Sequence, residues 1–210
     1  GLDGSLPEIR SFEVSDNGIG FNDENREAFD TLYTDNKLAE GGKGFGRFTC
    51  LKYFEELHVD SVYWNSNCFR RREFAMGKQN DIIVNEKISD VAEQGTRTTV
   101  RLSELKKGKA IDKKLETIAR NLVEKLLPYF IADNYTCPRI VLSESDTSDS
   151  IILNEYVSEE LSSLIMEIPC DQASFVLKGD EANEEFVVRV FKIFYPKNQT
   201  SRISLVAHKR

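Results

Sequence analysis

Four strand-like stretches follow one another between residues 57 and 102, and the gaps between them restrict the folds open to this chain. They cover 57–63, 68–75, 82–88 and 96–102, and the last alternates with Thr98, Val100 and Leu102 on one face. A crossover between parallel strands takes a dozen or more residues, whereas adjacent antiparallel strands need only a short turn. The gaps here are turns, so the stretches predict an antiparallel sheet rather than a doubly wound one. The second and third read as a hairpin closed by residues 77–81.

Helical patterns flank this block. Residues 10–14 alternate as one more strand, with Phe12 and Val14 on a common face. Asn22 then caps a helix whose first turn carries Asp23 and Glu24, and whose apolar stripe is Ala28, Phe29 and Leu32. Its pattern fades over residues 33–36. Phe48, Leu51, Tyr53 and Phe54 predict a short helix. The clearest helix spans 113–130, with Leu115, Ile118, Ala119, Leu122, Leu126 and Phe130 at spacings of three and four. Pro128 is expected to disturb its last turn. The fold class is therefore α+β, a two-layer sandwich of a mostly antiparallel sheet and helices.

Beyond the helix, 140–142 reads as a short strand and 143–150 as an exposed polar turn. A strand over 151–157 is expected to pair with the first. Two further strands, 186–194 and 203–207, are separated by the Pro196 to Thr200 segment. A second α/β domain is expected to begin near Ser162, giving a division into 1–161 and 162–210.

The 210 residues carry a formal net charge of −7, which argues against non-specific binding to nucleic acid or to an anionic membrane. No apolar run approaches the roughly 20 residues of a membrane helix, and no signal peptide is visible. Cys50, Cys68, Cys137 and Cys170 form no CxxC pair and predict scattered buried thiols in a reducing cytoplasm rather than a zinc site.

Two glycine-bearing segments carry most of the chemistry. Asp16-Asn17-Gly18-Ile19-Gly20-Phe21 follows the first strand. Its glycines let the backbone turn sharply, so Asp16 can point into a cavity as a buried acceptor for an exocyclic amino group. A plain surface Asp-Asn-Gly turn fits the same residues. Gly41 to Phe48 precedes the short helix. Free N–H groups at a helix start favour an anion, and Gly44 and Gly46 permit close approach while Lys43 and Arg47 add charge. It is neither a Walker A loop nor a dinucleotide fingerprint, and a flexible linker with a helix cap is the plain alternative. Gly95-Thr96 opens a strand and could present a hydroxyl to a base edge.

These three elements, in this order, resemble the GHKL ATPase superfamily with its Bergerat fold. That superfamily includes gyrase-type topoisomerases, the ninety-kilodalton heat-shock chaperone, sensor histidine kinases and MutL-type mismatch-repair proteins. The likeness runs over residues 9–157. The continuation past the Gly-Thr strand resembles the chaperone and MutL-like branch more than the kinases. It implies that Asp16 accepts from the adenine amino group, Gly18 and Gly20 shape the adenine pocket, and Thr96 contacts the base. Gly42, Gly44 and Gly46 would offer N–H groups to the phosphates, with Lys43 and Phe45 in the same ATP lid. Residues 162–210 would begin a transducer-like domain. The implied function is ATP binding that drives lid closure and self-association of the intact protein, with ATP and magnesium as ligands.

One departure matters. The family carries an earlier helix whose Glu activates water and whose Asn holds magnesium, and residues 1–10 contain no such pair. The chain is thus expected to be a piece of a longer ATP hydrolase, cut at both ends, with no catalytic residue of its own. The rival expectation is a non-catalytic interaction module with a degenerate nucleotide fold; a DNA-processing factor is a third.

Two remaining clusters read as surface. Arg70, Arg71 and Arg72 beside Tyr63, Trp64 and Phe69 could contact nucleic acid, but one solvated strand face with inward aromatics is the favoured reading. His58 is expected to face outward, without a catalytic triad.

Overall fold

A computed structural model describes residues 8–31, 46–77, 81–131, 135–161, 165–169, 174–178, 183–187 and 190–193. The chain divides into two compact units, Gly1–Lys113 and Lys114–Arg210. This boundary falls just before the long helix.

The first unit is built on one five-stranded sheet: β1 (Ser11–Asp16), β2 (Phe54–Asn65), β3 (Cys68–Met76), β4 (Val84–Asp90) and β5 (Arg97–Leu105), in the order β1-β5-β2-β3-β4. Every pairing is antiparallel. Two of the three short gaps read from the sequence, β2 to β3 and β3 to β4, are hairpin turns; the third, β4 to β5, is a connection past β3 and β2, because β5 inserts between β1 and β2.

The side chains alternate across this sheet as strand geometry requires. Leu57, Val59, Phe74 and Met76 form the buried cluster of one face, with Val100 and Leu102 from β5 against it. Helix α1 (Asp23–Asp30) starts where expected: Asn22 Oδ1 accepts the Asn25 N–H at 2.8 Å. It ends at Asp30. Phe29 from this helix meets Phe21 and Phe74 in a three-ring cluster with centroids 5.3–5.4 Å apart. Each such pair contributes on the order of 1 kcal/mol beyond its area.

Helix α2 (Gly46–Thr49) is a single turn continued by a 3₁₀ turn, Cys50–Lys52. Phe48, Cys50 and Leu51 pack on the same buried cluster as Phe21 and Phe29. Phe54, expected in this helix, instead opens β2.

The opposite face of the sheet is an ion-pair ladder. Arg101 donates to Glu13 at 2.6 Å, Arg71 to Asp60 at 2.6 Å, and Arg97 Nη1 lies 3.5 Å from Asp60. His58 faces outward, as expected, 2.9 Å from Glu56.

The three consecutive arginines do not share one solvated face. Alternation along β3 sends Arg71 to the ladder and Arg72 to the opposite face, where it is 2% exposed. The aromatics divide too: Tyr63 is buried, whereas Trp64 is half exposed beside the turn of the β2–β3 hairpin and touches Phe69 edge-on. Cys68 is exposed and Cys50 and Cys137 are half-buried, so the thiols are not uniformly buried; Cys170 lies outside the described residues.

In the second unit, helix α3 (Leu115–Phe130) buries Ala119 and Val123 against Leu153. It runs through Pro128 rather than breaking there, and Ile131 N–H still reaches Leu127 O at 3.1 Å. Strands β6 (Val141–Ser143) and β7 (Ser150–Ile152) form a ribbon. The strand expected over 151–157 stops early, because helix α4 (Leu153–Glu155) begins at once. The Asn154 side chain then accepts from Ile140 N–H and donates to Pro138 O, bonds that a longer strand would have made through its backbone.

The described remainder is β8 (Ile165–Ile168), β9 (Ser174–Lys178), β10 (Asn183–Val187) and β11 (Val190–Ile193). β9 pairs β10 and β8 pairs β11, so the single strand expected over 186–194 is two strands with different partners. The strand expected over 203–207 lies outside the described residues.

Candidate functional site

The strand registers align four polar side chains in one row across the core face. Asp16 on β1 stands opposite Thr98 on β5, Thr98 opposite Ser61 on β2, and Ser61 opposite Arg72 on β3. The neighbouring row is apolar: Val14, Val100, Val59 and Phe74. The change from apolar to polar comes where the backbone leaves β1 and crosses the sheet as Asn17 to Phe21.

That crossing is bonded at each step. Asp16 Oδ1 accepts the Gly18 N–H at 2.8 Å, closing an Asx turn. Phe21 N–H donates to Ser61 Oγ at 2.8 Å, and Ser61 Oγ lies 2.9 Å from Thr98 Oγ1. Asn25 Nδ2 donates to Gly20 O at 2.7 Å. Arg72 Nη1 donates to Phe21 O at 2.6 Å and to Asn22 O at 2.9 Å. Ser61, Thr98 and Arg72 are all buried, so these bonds satisfy groups that would otherwise be stranded away from water.

One glycine of this loop is required by its geometry. Gly20 is buried with φ +82°, and a Cβ there would meet Val62 O at 2.7 Å and both Ser61 Oγ and Tyr63 Cβ at 2.9 Å. At Gly18 a Cβ would come within 2.8 Å of Asp16 Oδ1, an exposed side-chain atom that would have to shift. The loop therefore lies directly on β2, and a pair of glycines exceeds what a simple turn needs.

Asp16 itself is exposed, not the buried acceptor expected from its motif. The cause is its strand: β1 is the outer strand of the sheet, and Val14 beside it is 60% exposed. Thr96 is half-buried just before β5, two residues from Thr98. Gly46 opens α2, while Gly42, Lys43, Gly44 and Phe45 lie outside the described residues. The structure thus brings Asp16, Gly18 and Gly20 into one loop, and the segment following the second glycine motif onto the core that also holds Phe21.

Sequence reasoning missed Ser61, Thr98 and Arg72. Each looks like an ordinary strand residue, and only the cross-strand register reveals the row. Among the described residues no three His, Cys, Asp or Glu side chains cluster as a metal site. Nor is any described helix long and apolar enough to cross a membrane.

No family model matches the chain, and no curated protein matches it. Solved structures do resemble it. The ATPase region of Saccharomyces cerevisiae topoisomerase II is 16% identical over 79% of this chain and 48% of that one, with a TM-score of 0.47. The same region bound to ICRF-187 (dexrazoxane) is 18% identical with the same coverage and a TM-score of 0.44. The ATPase and transducer domains of DNA topoisomerase II from Balamuthia mandrillaris are 16% identical over 44% of this chain and 28% of that one, with a TM-score of 0.35. The chain spans less than half the length of each. Likenesses of this depth assign neither a family nor a reaction.

Proposed function

We propose that residues 1–161 carry part of an ATP-binding domain of the GHKL type. Asp16 is the adenine reader, with Gly18 and Gly20 lining the pocket and Thr96 contacting the base. Gly42, Lys43, Gly44, Phe45 and Gly46 form the phosphate lid. In the intact protein nucleotide binding closes this lid and promotes self-association, and residues 162–210 begin the domain that transmits the change.

One observation supports this reading most: the buried Gly20, seated with φ +82° where any side chain would strike β2. A loop pressed onto the sheet this closely is a built feature, and it begins at the Asp16 carboxylate. A surface turn would not need that contact.

The described residues offer no site fitting magnesium, since no cluster of three candidate ligands exists among them. Hydrolysis needs a general base and a metal ligand in addition to the binding residues named above.

One observation favours the rival, a protein-interaction module: Asp16 is exposed and one of its oxygens is already engaged by Gly18 N–H. Calorimetric titration of the full-length protein with a non-hydrolysable ATP analogue decides between them. Binding lost in Asp16→Asn supports the nucleotide reading. Equal affinity in that variant, or no heat from the unaltered protein, overturns it.

A further inference from the structure

Arg72 is a cation almost wholly withdrawn from water, with its side chain only 3% exposed. Burying a charge is costly unless it is paired and hydrogen-bonded. Here the compensation is extensive and converges on one place. Nη1 holds the carbonyls of Phe21 and Asn22, and Nη2 holds Asp23 Oδ1 at 2.5 Å. Nε lies 3.0 Å from Glu86 Oε1, a charge contact without the alignment of a hydrogen bond. The guanidinium also stands 4.9 Å from the centre of the Tyr63 ring.

Two of these partners are main-chain oxygens at the exit of the glycine loop. A fold that merely needed to neutralise a buried arginine could have used carboxylates alone. Arg72 instead fixes the direction in which the backbone leaves Gly20 and enters α1. Arg26 belongs to the same charge network, through Glu86 at 3.1 Å and Asp30 at 2.7 Å, but only its main-chain N–H reaches Asn22 O, as a helical bond, and its side chain holds no carbonyl of the loop. The network therefore contains its own control.

We infer that Arg72 is a positioning residue for the ligand loop: its guanidinium grips the Phe21 and Asn22 carbonyls and so sets where Gly18 to Phe21, and with them the Asp16 carboxylate, stand over the sheet. This rests on the nucleotide reading for its ligand, though not for its geometry. A lysine cannot replace the fork, because one ammonium cannot reach two carbonyls and a carboxylate in a fixed plane.

The test uses the full-length protein with Arg72→Lys, Arg72→Ala and Arg26→Gln. Affinities for adenosine, ADP and a non-hydrolysable ATP analogue are measured, and circular dichroism gives the folded fraction. Arg72→Lys should weaken all three ligands by about tenfold or more, alike, because the loop serves the base and not the phosphates. Arg26→Gln should stay within about twofold. Millimolar methylguanidinium should restore much of the affinity of Arg72→Ala, which lost stability alone would not allow. Wild-type affinity in Arg72→Lys, an equal loss in Arg26→Gln, or a loss confined to the ATP analogue overturns the inference. If the unaltered protein binds none of the three, the nucleotide reading fails by itself. The positioning role is then read from amide exchange at Phe21 and Asn25: selective loss of protection in Arg72→Lys supports it, and unchanged protection overturns it.

Discussion

Ser61 and Thr98 face each other on neighbouring strands with their hydroxyl oxygens 2.9 Å apart, and Ser61 also accepts the Phe21 N–H. Two small polar residues thus tie the interior of the sheet to the loop above it. Removing either has a different consequence. Ser61→Ala strands a main-chain donor and should cost about 1–3 kcal/mol, whereas Thr98→Val removes one neutral bond and should cost about 1 kcal/mol. Because each hydroxyl is the other's partner, the double variant should cost less than the sum. Urea unfolding of the four proteins, followed by circular dichroism, checks this; strict additivity would contradict the coupling.

Gly20 and Gly95 separate two reasons for a glycine. Both have positive φ, +82° and +121°, but a Cβ at Gly20 strikes backbone and at Gly95 meets nothing within 4 Å. Gly95→Ala should therefore cost only conformational strain, about 1–3 kcal/mol. Gly20→Ala should cost more and lower the yield of folded protein, since the loop must lift off β2. Comparable melting temperatures for the two variants would refute the close seating.

Asp60 gives the outer face a pH dependence. Burial pushes its carboxyl up, but the Arg71 hydrogen bonds and the charges of Arg71 and Arg97 outweigh this and hold it below the usual carboxylate range. A depressed pKa stabilises the folded state above the unfolded value of about 3.9, and that contribution fades as pH falls through the folded value. Asp60→Asn should thus lose about 1 kcal/mol at neutral pH, and the gap should close on acidification below about pH 4. A difference constant from pH 7 to pH 3 would show that charge is not its origin.

The thiols should label in order. Cys68 is exposed, whereas burial raises the pKa of Cys50 and of Cys137, and the thiolate is the reactive form. Mass spectrometry during limited alkylation of the folded chain should find Cys68 modified before either. Simultaneous labelling would mean that local opening, not access, sets the rates.

The sheet was legible because hydrophobic alternation and short gaps are local signals, and so was the α1 cap, which needs only Asn22 and the three residues after it. The polar row was not. Thr98 meets Asp16 through pairing across more than eighty positions of sequence, and no local pattern encodes that register. Arg72 was hidden for a similar reason: in a run of three arginines, alternation fixes which one faces inward only once the buried side is known. The end of β7 was misread because Ile151 and Ile152 run on into Leu153, the first helix residue, and a short apolar run fits either state.

Trp64, the chain's single tryptophan, stands half in water by the first hairpin's turn, on the face away from the loop. Its emission already belongs to a solvated indole, so unfolding should barely move the wavelength maximum and iodide should quench it in the folded state. Ligand titrations read by native fluorescence would report on that hairpin alone. Moving the fluorophore, with Trp64→Phe and Phe21→Trp, would place the optical probe at the loop and turn the aromatic cluster into a sensor.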